Sequence, residues 1–196
     1  MIKVVRTKGY TATHVEDVCA EAAVTKGSFF HHFKTKDDLA LAALEHWRTN
    51  AASLFDRAPY HDIADPRARV LAYLDYCKAI LTGALADFTC LAGTMVQEMY
   101  ATNPDIRAAC ATSISTHTDR LAPDIAEAMR NHPVTADVTA EGLALHIQCV
   151  LQGAFILAKM AGGAEIVAQS IDHLRRYFEL LFGMPAGGEA GHRGAG

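Results

Sequence analysis

No C-x-x-C pair occurs, and the five cysteines (19, 77, 90, 110 and 149) are too scattered for a disulfide framework. That usage fits a reduced, cytoplasmic setting. No continuous apolar run approaches the ~18 residues that cross a bilayer, and no charged-then-apolar leader precedes the first motif. Both absences point away from membranes and secretion. No glycine-rich phosphate loop, Ser-His-Asp neighbourhood or clustered carboxylate pair stands out. The adjacent His31 and His32 point to opposite sides of a helix, and His117 with His146 lacks a third ligand for a metal. The expectation is a non-enzyme with no metal or cofactor. Period-two alternation and Asn-Gly or Asp-Gly hairpins are also missing, which excludes a sheet and leaves an all-α chain.

Positive charge is scarce too. The net charge is −4 over 196 residues, with residues 1–48 near +1 and the remainder near −5. Such a chain does not coat nucleic acid indiscriminately, and a +1 segment supports DNA binding only mildly.

Helical punctuation is plentiful. Thr13 with Glu16 reads as a capping box, and Thr35 with Asp38 as its shorter-armed analogue. Asp65-Pro66 and Asn103-Pro104 each set a capping side chain before a proline at the first helical position. With the apolar periodicity, these predict helices near 2–8, 13–21, 26–32, 36–56, 65–82, 90–101, 104–130, 138–161 and 165–182. Pro123 falls inside the seventh, but the spacing of Ile106, Cys110, Ile114, Leu121, Ile125 and Met129 runs across it and predicts one kinked helix. Residues 58–64 read as a loop between domains, and the tail 184–196 as disordered. The predicted domains are 1–47, 48–183 and that tail.

The stretch THVEDVCAEAAVTKGSFFHHFKTKDDL, residues 13–39, holds the most information. It reads as two short helices joined by a tight turn, with a third following at once, the layout of a helix-turn-helix. Val15, Val18, Cys19 and Ala22 share one face and are expected to pack on Ile2, Val5, Phe29 and Phe33. The second short helix is expected to face outward with what DNA needs. Thr25 caps it, and Lys26 and Ser28 are placed to read bases. His31, His32 and Lys36 are placed to donate to phosphates. Gly27 costs about 1 kcal/mol of helix propensity, a cost offset where a backbone must approach a phosphate or base edge.

This stretch resembles the DNA-binding region of the TetR family of bacterial repressors. The shared pattern is a Gly-aromatic, a Thr-rich cap, a small-residue turn, a short Lys-Gly helix, an aromatic, a His-Phe and a following Lys. The resemblance implies that Thr13, His14, Lys26, Gly27, Ser28, Phe30, His32 and Lys36 stand where the family touches DNA. It also implies a ligand-responsive repressor with a helical C-terminal domain. Phe30 stands where the family usually has Tyr, removing one phosphate bond, and Ala23 replaces the common turn glycine. Only about two helical turns precede Gly9, and the basic arm of many members is missing, so the expectation is either a longer natural N-terminus or a thin grip on DNA.

From residue 65 onward the apolar stripes broaden. Leu143, Ile147, Val150, Leu151, Ala154, Leu157 and Ala158 cover more than one face of a helix. Ile166, Val167, Ile171, Leu174, Phe178, Leu181 and Phe182 line the last one. Two such helices suit a homodimer's four-helix bundle, which would set two reading helices about 34 Å apart on a palindromic operator. Candidate contacts for a small-molecule effector are the polar, sulfur or aromatic intrusions Tyr73, Tyr76, Cys77, Met95, Met99, His117, His146 and Gln148. The segments DFTCLAGTMVQE and GAFILAK resemble a family branch that includes sensors of reactive electrophiles, which adds Cys90 and Lys159 as sensor and activator. The residues therefore leave a second reading open: a helical ligand-binding or thiol-based sensor with weak or lost DNA binding.

Overall fold

The first helix, α1 (Ile2–Lys8), stops at Gly9, whose φ of 87° suits glycine. The structure, a computed structural model, describes residues 1–183. The predicted disordered tail lies outside the described residues. After α1 come α2 (Val15–Ala22), α3 (Lys26–His32) and α4 (Lys36–Asp56). A 3₁₀ turn (Pro59–Asp62) leads to α5 (Pro66–Ala79), the one-turn α6 (Leu85–Phe88) and α7 (Leu91–Met99). The chain then forms α8 (Pro104–Asn131), α9 (Ala140–Ala161) and α10 (Glu165–Leu181). No strand occurs among the described residues.

Three of the four predicted caps form. Thr35 accepts the Asp38 N–H while Asp38 accepts the Thr35 N–H, at 3.0 and 2.9 Å. Asp65 accepts from the Arg67 N–H and Asn103 from the Ile106 N–H. The fourth is displaced by one residue. His14 is the N-cap of α2 and its N–H donates to Asp17, 2.7 Å. Thr13 instead donates its hydroxyl to Gly9 O at 2.6 Å and is fully buried. Ala23 takes the left-handed conformation (φ 54°), a strain of about 1–2 kcal/mol for a side chain with a Cβ.

Two further expectations need amending. The predicted linker 58–64 is a packed 3₁₀ turn, because Tyr60 buries its ring against Tyr73 and Tyr76. α5 ends at Ala79, and the unpredicted α6 follows, too short to carry an apolar period. α8 does run through Pro123 as one helix.

The interior forms two clusters. One joins α5, α8, α9 and α10 around Phe178, Leu74, Ile125, Ile147 and Ile171. Arg69 pins α5 to α8 within it, donating to Asp124 at 2.9 Å, to Ile63 O at 3.0 Å and to Glu127. The other joins α1 and α4 to α7 and the start of α8, through Val5, Tyr10, Leu44, Leu91, Met95 and Ile106. The N-terminal helices thus share a core with the C-terminal half. Glu98 of α7 reinforces this by accepting the backbone N–H groups of Tyr10 (2.9 Å) and Thr11 (2.7 Å). Burial alone would raise the Glu98 pKa, but these N–H bonds outweigh it and hold the carboxyl below its ordinary value.

α9 is long and apolar enough, by length and composition, to cross a membrane. This qualifies the expectation of no such run, since the helix holds scattered polar residues that break the run without removing its apolar character. One face packs inside the bundle through Leu143, Ile147, Leu151, Ala154 and Ala158. Its other face leaves Leu145, Ile156, Leu157 and Met160 exposed, beside the exposed Tyr177 and Leu180 of α10.

Candidate nucleic-acid interface and inner cavity

Val18, Cys19 and Phe29 are buried and Val15 and Phe33 half-buried, in line with the apolar pattern, while Ala22 stays exposed. That packing turns the opposite face of α3 outward. The Thr25 hydroxyl accepts the Ser28 N–H at 3.1 Å, so the helix starts where the sequence predicts. His14, Thr25, Lys26, Gly27, Ser28, Phe30, His31 and His32 are all exposed. Phe30 leaves 55% of its surface in solvent, a poor place for an aromatic ring unless something covers it. A Cβ built on Gly27 would meet only Thr25 Oγ1, at an ordinary 3.7 Å. Nothing inside the protein requires glycine there.

One predicted contact is corrected, and a second has partners inside the protein. Thr13 is buried beneath the turn, so it braces the motif and does not reach its surface. Lys36 donates to Tyr10 O (3.1 Å) and Thr13 O (3.0 Å), with its ammonium over the Tyr10 ring. It holds the α1–α2 turn. The exposed lysines are also engaged. Lys26 pairs with Glu16, Lys8 with Asp17 at 2.6 Å, and Lys3 with Glu21 at 3.0 Å. Lys26 accordingly holds the Glu16 carboxyl below its ordinary pKa.

Behind this unit, α4, α5, α6, α8 and α9 enclose a cavity of about 420 Å³. Its wall is largely apolar and aromatic: Trp47 and Phe55 from α4, Phe88 from α6, Phe155 and Leu151 from α9. Arg48, Arg120, Asn50, Gln148 and Gln152 bring polar groups to it. A volume of this size with a few polar groups suits a small organic molecule.

Of the predicted ligand residues, Cys77, Cys90, His117 and Gln148 line the cavity. Tyr73 sits in a small neighbouring recess, where its hydroxyl shares a hydrogen bond with His117 Nε2. Burial, with the Arg120 charge adding to it, pushes His117 down to about 4, so the ring is neutral near pH 7. Burial pushes the Cys77 thiol up to about 12 and makes it inert. Tyr76 turns to Leu54 O, 3.3 Å away.

Met95, Met99, His146 and Lys159 do not reach the wall. The stripe of α7 that carries Leu91, Met95 and Met99 faces α1 and α4, which leaves only its N-cap, Cys90, at the cavity. His146 lies on the outer face of α9 against Tyr177, with ring centroids 5.5 Å apart. Lys159 donates to Thr94 Oγ1 at 2.8 Å, and that hydroxyl donates to Cys90 O at 2.9 Å. The Cys90 Sγ accepts the Gly93 N–H at 3.3 Å.

Sequence reasoning missed Trp47, Phe55, Phe88, Phe155 and Arg120, because it sought polar intrusions and the wall is mostly aromatic. Trp47, Ala51 and Phe55 recur every four residues along α4, which was the available signal. It also missed Arg6, on the apolar side of α1 four residues after Ile2.

Comparison with known proteins agrees with this layout. The model for "Bacterial regulatory proteins, tetR family" matches residues 2–43, and a "Tetracyclin repressor-like, C-terminal domain" model matches residues 66–174. The chain is 32% identical over 153 residues to the transcriptional regulator AcuR of Cereibacter sphaeroides, covering 78% of this chain and 70% of that one. Among solved structures, the regulatory protein TetR from Rhodobacter sphaeroides superposes with a TM-score of 0.78 at 28% identity, covering 92% and 94% of the two chains. The reduced form of E. coli NemR shares the fold, with a TM-score of 0.74 at 20% identity and 94% of each chain covered.

Proposed function

Because the chain belongs to the tetR family of bacterial regulatory proteins, and is thus a ligand-responsive DNA-binding transcriptional regulator and not an enzyme, we propose a specific division of labour for its residues. Lys26, Gly27 and Ser28 read base edges from the start of α3. His14, Thr25, His31 and His32 set its register on the phosphates, and Phe30 covers its exposed ring against the DNA. The observation that carries this is the exposed first turn of α3, with a glycine that the fold does not need.

The exposed apolar faces of α9 and α10 form the homodimer contact, which sets the two reading helices on a palindromic operator. The protein works in the cytoplasm, as its free cysteines suggest, and represses until an effector enters the cavity. Release follows if the effector binds better to a conformer whose reading helices no longer match adjacent major grooves.

A gel shift with the DNA upstream of the protein's own gene tests the reading. Lys26, Lys8 and Lys3 exchange carboxylates for phosphates on binding, so a specific shift that weakens steeply with salt is expected. A shift indifferent to salt, or none, counts against it.

The second reading, a thiol sensor, draws on the position of Cys90. The thiol caps a nine-residue helix and touches the cavity, and the Lys159 ammonium donates to Thr94, whose hydroxyl donates to the Cys90 carbonyl. Partial burial lowers the Lys159 pKa, although Cys90 and Glu98 oppose the shift. On this reading, modification of Cys90 acts in place of, or together with, a bound effector.

A further inference from the structure

Arg6 is the least satisfied charged side chain among the described residues. It belongs to α1, it is only 7% exposed, and its Nε and Nη2 are sealed from water with no hydrogen-bond partner. A guanidinium carries five donors and keeps its charge, so burying it without an acceptor is costly. The Trp47 ring lies under the guanidinium, its centroid 4.5 Å from the guanidinium carbon. Asp87, the carboxylate whose charge it feels, is exposed and caps α6 by accepting the Ala84 N–H at 2.8 Å. Burial lowers the Arg6 pKa, against the pull of Cys90 and Asp87. Lys159 is close enough that Arg6 lowers its pKa in turn, so two cations converge on the Cys90 end of α7.

The neighbours of Arg6 are also the wall of the cavity. Ile2, one turn before it on α1, lines the cavity together with Trp47, Asp87 and Cys90. Arg6 itself does not line the cavity, and the Trp47 indole, which does, lies against its guanidinium. Nε–H and Nη2–H form one edge of the guanidinium, and that edge matches the two oxygens of a carboxylate. Phe55, Phe88 and Phe155 on the remaining wall suit an apolar body.

We propose that the effector is a small carboxylic acid with an apolar body, and that its carboxylate is the missing partner of Arg6. This rests on the regulator reading above and adds the class of ligand and the route of its signal. On binding, the acid displaces the indole of Trp47 and takes both orphaned donors. Because Arg6 sits on α1, that new ion pair acts directly on the DNA-binding unit. A neutral analogue fills the same cavity without moving Arg6.

The test uses the full-length protein and two matched probe pairs, hexanoate with hexanamide and cinnamate with cinnamamide. Calorimetry and thermal melting without DNA report binding, and operator anisotropy reports release. The wild type is expected to bind at least one acid ten-fold or more tighter than its amide. Arg6→Gln should abolish that preference. Arg6→Lys, which keeps the charge but loses the fork, should retain only part of it. If no acid binds better than its amide, or if the preference survives in R6Q, the proposal is overturned. Should R6Q fail to melt cooperatively, the wild-type acid–amide comparison and R6K decide. Failure of the regulator reading is separate: it shows as loss of operator binding without ligand, and leaves the DNA-free measurement intact.

Discussion

Replacing Gly27 with alanine separates what the fold needs from what DNA needs. In the free protein the new methyl group meets only Thr25 Oγ1, at 3.7 Å, and otherwise faces solvent. Alanine is favoured over glycine in a helix by up to about 1 kcal/mol, less in the first turn. For a chain of this length, 1 kcal/mol corresponds to about 2–4 °C in Tm. G27A is therefore expected to melt at the wild-type temperature or a few degrees above it. On DNA the same methyl stands between the first turn of α3 and the groove. Loss of one good contact costs about 1–3 kcal/mol, and a palindrome has two reading helices. A deficit of about 2 kcal/mol or more, roughly 30-fold in Kd, follows. Fluorescence anisotropy on the operator duplex at fixed salt, with a thermal melt of the same preparation, measures both. G27A that binds as tightly as the wild type refutes the close approach. A clear fall in Tm instead shows that glycine serves the fold.

Three further outcomes are expected. His117 has a folded pKa of about 4 against an ordinary 6.5. The unfolded state thus binds more protons between those values, and stability present above about pH 6.5 is lost as pH falls toward 4. Some 3 kcal/mol follows from that gap, so urea unfolding at pH 7, 5.5 and 4.5 should show a flatter pH slope in His117→Gln, and an equal slope sinks the assignment. Met160→Glu combined with Leu180→Glu, on faces 75% and 78% exposed in one chain, should convert dimer to monomer by light scattering. An unchanged mass would place the dimer contact elsewhere. Cys90 should alkylate at neutral pH faster than Cys19, Cys77, Cys110 and Cys149, as read by mass spectrometry; equal rates remove the thiol-sensor reading.

How far the sequence could be read depended on how local each signal was. The reading helix was legible because its cap, its glycine and its basic and imidazole groups all lie within eight consecutive residues. The caps at Thr35, Asp65 and Asn103 are equally local, and they formed. Thr13 was misplaced because its hydroxyl has two short-range options, and only the turn at Gly9 favours the carbonyl over the helix start. Met95 and His146 show the other limit. Each sits on a helix of the right kind, but which face meets the cavity depends on how α7 and α9 pack against distant helices. Arg6 was unremarkable as one charge in a short basic helix. Its significance comes from α6 and α7, some eighty residues away in the chain, which close over it.

Cys90, Thr94 and Glu98 repeat every four residues, so α7 presents them as one line about 12 Å long at 1.5 Å per residue. One end of that line is cavity wall, and the other holds the N–H groups of Tyr10 and Thr11 just ahead of α2. A helix this short neither stretches nor bends appreciably, so cavity and turn share a single free-energy balance. Reciprocity then fixes the converse: whatever factor the effector removes from operator affinity, the operator must remove from effector affinity. DNA is in that sense an antagonist of the cavity, and a protein seated on its operator should need the highest effector concentration to be filled.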